Sequence, residues 1–188
     1  AIRRKTVGEE HPDYAVSLNG LAALYHSLGE SARAESLYLQ AIEICRKVAS
    51  EDHPRASLAS GRNRLATSLH NLAALYRSMG QHARAEPLLR QAVKIYGESL
   101  GEEHPRFATS LDSLAALYRS MGEDARAEPL IRQAMEIRRK TLGEEHPRFA
   151  VSLGNLAALF LSRGEHARAE PLFRQAVGIR RKALGEER

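Results

Sequence analysis

A five-residue string, Leu72-Ala73-Ala74-Leu75-Tyr76, recurs at Leu21 to Tyr25, at Leu114 to Tyr118 and, with Phe in place of Tyr, at Leu156 to Phe160. Leu72, Leu114 and Leu156 stand 42 residues apart, whereas Leu21 precedes Leu72 by 51. No single unit of this length buries its own apolar face. A fixed period in this range therefore means units stacked in one direction, each completing its neighbour's core. With 188 residues and 43% hydrophobic content, the chain has enough apolar surface for such an array.

The third unit shows the local pattern. His104-Pro105 opens a helix, because Pro suits the first turn and presets φ. Phe107, Ala108, Leu111, Leu114, Ala115, Leu117 and Tyr118 then follow the three-and-four spacing of one wide buried stripe. Gly122 ends that helix, as Gly29, Gly80 and Gly164 end theirs, by taking the left-handed conformation. A second helix is expected from about Ala125 to Lys140, with Ala127, Leu130, Ile131, Ala134 and Ile137 inward. Pro87, Pro129 and Pro171 sit early in these second helices and predict either a late start or a local distortion. Small residues at Ala34, Ala85, Ala127 and Ala169, and again at Ala41, Ala92, Ala134 and Ala176, let paired helices approach closely.

The order Leu, Leu-Ala, Tyr, Gly, Ala, large apolar, Ala resembles the tetratricopeptide repeat. The 42-residue unit with His-Pro, Ser-Leu-x-Asn-Leu-Ala-x-Leu-Tyr and Ala-Glu-Pro-Leu is similar to the kinesin-light-chain type of that repeat, a subtype that also occurs in bacterial multidomain proteins. The resemblance covers the whole chain and implies an all-α, right-handed superhelical solenoid of antiparallel helix pairs. Residues 1–10 then form the end of a preceding second helix. The repeats follow at 11–52, at 53–103 with nine extra residues, at 104–145 and at 146–188. The chain begins and stops at equivalent points of the unit, which predicts a segment of a longer array.

The second unit departs from the pattern. Between Pro54 and Ala66 lies Arg55-Ala56-Ser57-Leu58-Ala59-Ser60-Gly61-Arg62-Asn63-Arg64-Leu65. Nine extra residues are about two and a half helical turns. A longer first helix is expected, with Gly61 arguing for a break or kink inside it. Arg55, Arg62 and Arg64 are candidate contacts offered by this insertion.

Chemistry-bearing residues mostly follow the period. His11, His53, His104 and His146 recur at equivalent places, too far apart for ligands that must each lie about 2 Å from one ion. They read as turn caps, and no metal or other cofactor is expected. The single Cys45 cannot form an internal disulfide and fits a reducing, cytoplasmic setting. No nucleophile paired with a base and no phosphate-cradling glycine loop stands out from the repeat, so an enzyme is not expected. The net charge of +5 comes from 28 basic and 23 acidic residues that are interspersed, which gives little support to nucleic-acid binding. The basic helix ends, Arg138-Arg139-Lys140 and Arg180-Arg181-Lys182, are expected to stay solvated against helix C-terminal dipoles. No apolar run of about 18 residues exists, so no membrane span is expected.

The family resemblance implies instead a concave groove, lined by first helices, that takes a peptide or partner segment. Carried onto this chain, its candidate residues are Asn19, His26, His70, Asn71, Arg77, Asp112, Arg119 and Asn155. These positions vary among the copies while the apolar stripe does not. Asn71 and Asn155 can pair with a peptide backbone, and Arg77 and Arg119 can fork onto carboxylates, pointing to an acidic peptide. Asp112 lies nearby and works against that charge. The other reading is a structural or regulatory spacer that contacts its own further domains or another copy.

Overall fold

The computed structural model describes residues 12–49 and 55–185, and among these it contains eight α-helices and no strand. They fall into two compact units that divide at residues 99 and 100. The first unit holds α1 (Pro12–Ser27), α2 (Ser31–Val48), α3 (Arg55–Ser78) and α4 (His82–Leu100). The second holds α5 (Pro105–Ser120), α6 (Asp124–Leu142), α7 (Pro147–Ser162) and α8 (His166–Leu184). Within each unit successive helices pack antiparallel: α1 on α2 and α2 on α3 in the first, α5 on α6, α6 on α7 and α7 on α8 in the second.

Local chemistry sets the helix ends. His104 and His146 are N-caps in extended conformation, and each accepts a hydrogen bond at Nδ1 from the backbone N–H two residues on, at 3.1 Å from Arg106 and 3.0 Å from Arg148. His11 and His53 lie outside the described residues, as do the expected remnant helix at 1–10 and the chain's last three residues. Gly122 turns the chain at φ 74° after α5, a conformation a side chain would resist.

The second helices start early. Pro87, Pro129 and Pro171 each stand at the sixth position of a helix that begins at His82, Asp124 or His166. Each Pro lacks the N–H that would otherwise bond to the carbonyl four residues back, and the helix continues through it.

The apolar stripe is core as expected. Leu114, Ala115, Leu117 and Tyr118, and likewise Leu156, Ala157, Leu159 and Phe160, are buried, as are all eight of the small alanines. Three findings depart from expectation. First, α3 is one continuous helix of 24 residues, against 16 for α1, α5 and α7. Gly61 does not break it. It is buried against the last turn of α2, where an added Cβ would stand 3.1 Å from Val48 Cγ1 and 3.2 Å from the backbone N of Ala49. The glycine is there because two helices meet backbone to backbone. Second, Arg138 is not solvated: it is buried, and it is held by an ion pair described below. Third, Leu21 and Leu24, although equivalent to the buried Leu72 and Leu75, are 42% and 53% exposed.

Candidate functional site

The varied face of the first helices can be followed separately in each unit. In unit 1, α1 and α3 are tied by side chains along their length. Arg64 pairs with Asp13 at 2.6 Å, Asn19 Nδ2 donates to Ser68 Oγ at 2.8 Å, and His26 Nε2 lies 2.9 Å from Ser78 Oγ. Asn19 Oδ1 is buried with no hydrogen-bond partner among the described residues. His70 and Asn71 are half-buried on α3, and Arg77 is exposed near its end. Burial, reinforced by the Arg77 cation, pushes the His70 imidazole below its ordinary pKa. Of the insertion residues, Arg64 is thus engaged inside the unit and Arg62 is exposed, while the Arg55 side chain lies outside the described ones.

Unit 2 presents a different polar set. Asn155 Nδ2 on α7 donates to Asp112 Oδ1 on α5 at 3.3 Å. Asp112 Oδ2 in turn lies 2.6 Å from Arg138 Nη1, which also donates to Ser152 Oγ at 2.6 Å. Burial pushes the Asp112 carboxyl up, and Arg138 and Asn155 pull it back only in part. Arg119 bridges the same two helices: its Nη2 donates to the Ala158 carbonyl at 3.2 Å, and its Nε is buried without an acceptor among the described residues. Asp112, Arg119 and Asn155 therefore share one face of α5 and α7. Asn19, His26, His70, Asn71 and Arg77 share α1 and α3.

Two polar systems escaped the sequence reading. One is the contact of Arg138 with Asp112. Its signal was present, since Arg138 occupies the column of Cys45 and Tyr96, residue types that belong inside, and both are buried. Tyr96 answers its burial differently, with its hydroxyl 2.9 Å from Thr67 Oγ1. The other is a glutamate at the start of each second helix. In α2, Glu35 Oε1 accepts from Tyr76 Oη at 2.8 Å and from Arg84 Nη2 at 2.6 Å, while Arg84 stacks over the Tyr76 ring at 3.9 Å. These partners lower the Glu35 pKa, the Tyr76 hydrogen bond most, and burial with the carboxylate drives the Tyr76 phenol up to about 12. In unit 2 the equivalent glutamate is Glu128 of α6, and the position of Tyr76 is held by Phe160, which has no hydroxyl. Arg163, the residue that caps the end of α7, supplies the missing donor, with Nη1 2.6 Å from Glu128 Oε2, and Arg168 covers the Phe160 ring at 3.8 Å.

A further surface lies on α8. A groove of about 700 Å³ runs between Leu161 of α7 and Phe173 and Val177 of α8, with Glu170 and Arg174 at its polar edge. Among the described residues no three His, Cys, Asp or Glu gather where they could share a metal ion, and no helix is long and apolar enough to cross a membrane.

The family profile described as Tetratricopeptide repeat matches residues 1–47, 64–140 and 107–182. By sequence, the chain is 29% identical over 104 residues to Protein KINESIN LIGHT CHAIN-RELATED 2 of Arabidopsis thaliana. The match takes in 55% of this chain but only 14% of that protein. By structure, it superposes with TM-score 0.73 and 32% identity on the nearly identical TPR-like repeats of a Podosopora anserina protein described as a kinesin light chain, covering 97% of this chain and 82% of the other. BtubC (BKLC) of P. vanneervenii superposes with TM-score 0.80 at 25% identity, covering 98% of this chain and 70% of that one.

Proposed function

From the premise that the chain belongs to the tetratricopeptide repeat family, whose fold typically mediates protein–protein interaction, we propose that it is a non-catalytic interaction module. On this reading the varied face of its first helices takes a peptide or partner segment rich in carboxylates. The observation that carries the reading is Arg119. Its guanidinium is wedged between α5 and α7 by one backbone hydrogen bond, with Nε buried and still lacking an acceptor among the described residues. A carboxylate laid along that face would engage the part of the guanidinium fork that reaches the surface, since the residue as a whole is only half-buried. Asp112 does not oppose it, because its charge is already matched by Arg138 at 2.6 Å. Asn155, on the same face, would address the peptide backbone, and in unit 1 Arg77 and Asn71 would play the corresponding parts. Cys45 suits a reducing cytoplasmic setting, since burial raises its thiol pKa and keeps it from reacting.

Fluorescence anisotropy of a set of acidic and neutral peptides tests this against the wild-type chain and the Arg77→Glu and Arg119→Glu variants. Acidic peptides are expected to bind the wild type, with affinity falling about tenfold or more in Arg119→Glu. Equal binding of neutral and acidic peptides, or no change in either variant, overturns the proposal.

A further inference from the structure

Asn71 of α3 and Asn155 of α7 hold the same place in the repeat, and Asn19 of α1 and Asp112 of α5 likewise correspond. The two asparagines are nevertheless held differently. A carboxylate only accepts hydrogen bonds, so the part of the Asn155 amide that meets Asp112 has to be its NH2 group. Nδ2 stands 3.3 Å from Asp112 Oδ1. In unit 1 the residue corresponding to Asp112 is Asn19, an amide that can both donate and accept. Its Nδ2 goes to Ser68 Oγ, and Asn71 makes no side-chain hydrogen bond among the described residues.

Behind Asp112 stands Arg138. Its Nη1 lies 2.6 Å from Asp112 Oδ2, which leaves Oδ1 for Asn155, and Ser152 Oγ steadies the same nitrogen at 2.6 Å. Burial raises the Asp112 pKa, and the Arg138 charge opposes that rise most. With Nδ2 turned inward, Asn155 Oδ1 has no partner among the described residues and, unlike Asn19 Oδ1, is open to solvent. The column stays half-open at Ser113 of α5, where α7 already lies alongside. From this chain of contacts we infer that Arg138 is a positioning residue: through Asp112 it fixes the Asn155 amide with Oδ1 outward, so a partner segment has to bring a hydrogen-bond donor, a backbone N–H, to that point. Arg138 itself is buried and touches no ligand. The columns of Arg138 in unit 1 hold Cys45 and Tyr96, neither of them a cation, so Asn71 has no such restraint and can meet a carbonyl as well as an N–H. The ligand half of this inference rests on the peptide-binding proposal, whereas the fixed amide does not.

Side-chain amide hydrogen exchange, followed by NMR on the free 188-residue chain, tests the positioning without any ligand. The Asn155 Nδ2 protons should exchange about tenfold more slowly than those of Asn71. Asp112→Asn/Arg138→Tyr should remove the difference, because an amide at position 112 donates as readily as it accepts, and Arg138→Lys, which keeps the cation, should preserve it. Circular-dichroism melts confirm that each variant is folded. Equal exchange at Asn71 and Asn155 in the wild type overturns the inference. The ligand half is tested with an acidic peptide that binds in the anisotropy assay, remade with each backbone amide in turn replaced by an ester, which removes one N–H. One ester position should weaken binding to the wild type about tenfold and leave binding to the double variant unchanged. Arg119→Glu should weaken the parent peptide in both backgrounds. A purely structural Arg138 would weaken every peptide of the series by one common factor, and an ester penalty that survives in the double variant overturns the inference. If no peptide binds at all, the peptide-binding proposal falls and the exchange rates alone decide the positioning.

Discussion

Arg138 and Asp112 meet at 2.6 Å with only 6% and 15% of their side chains exposed, and this pair joins α6 to α5 inside the second unit. Ser152 Oγ and Asn155 Nδ2 complete the set from α7, so three helices converge on one buried ion pair. Removing one partner leaves the other charged and poorly solvated. Asp112→Ala is therefore expected to cost about 3–5 kcal/mol in urea unfolding. In the double variant Asp112→Asn/Arg138→Tyr, the tyrosine copies Tyr96, which reaches Thr67 and whose equivalent partner would be Thr109, and the asparagine copies Asn19 of α1. This double variant should recover most of that loss. A double variant no more stable than Asp112→Ala would show that the ion pair itself is indispensable.

Acid should act through the glutamate clamps. Glu35 and Glu128 both have pKa values lowered from 4.5, the first chiefly by the Tyr76 hydrogen bond and the second chiefly by the Arg132 one. In the window between the lowered and the ordinary value, the unfolded chain binds more protons. Their stabilisation is thus complete above the ordinary value and lost as pH falls through the lowered one. Denaturant midpoints followed down through this window should drop, and Glu35→Gln should flatten the drop.

His70 should impose a second slope at higher pH. Its pKa is lowered from 6.5 by burial first and the Arg77 charge second. The unfolded imidazole accepts a proton more readily, so stability is full above 6.5 and falls as pH descends through the depressed value. Arg77→Ala should raise the imidazole pKa in an NMR titration. His70→Asn, the residue found at the equivalent Asn19, should abolish the slope.

Glycines within helices should respond in opposite directions. An added Cβ at Gly20 meets nothing within 4 Å, so Gly20→Ala should stabilise by about 0.5–1 kcal/mol through helix propensity. Gly61 lies against the α2 backbone, which cannot swing aside as a side chain can. Gly61→Val should cost about 1–3 kcal/mol by overpacking, and thermal melts of the two variants would reveal the contrast.

The helices could be read from spacing because each needs only its own stripe and punctuation: Phe107 through Tyr118 repeat every third or fourth residue, and His104 and Gly122 bound them. The tertiary meaning of single residues was less legible. Gly61 looks like a helix breaker until Val48 is known to lie beside it. Arg138 looks like an ordinary basic helix end until its column is compared with Cys45 and Tyr96. The candidate residues Asn19 and Asp112 were found by position, but their bonds to Ser68 and Arg138 depend on side chains from other helices, and local sequence cannot supply those.

Gly61 also bears on how such a chain can change length over evolution. The apolar part of the joint between α6 and α7 is made of alanines and leucines that return every period, Ala127, Ala134, Leu156 and Leu159 among them, so unequal recombination in steps of one unit would splice one such apolar joint onto another. The joint between α2 and α3 has no such freedom, since its long helix fits only where a glycine meets the end of the helix before it. Copies can be gained or lost elsewhere, while this junction must be inherited whole.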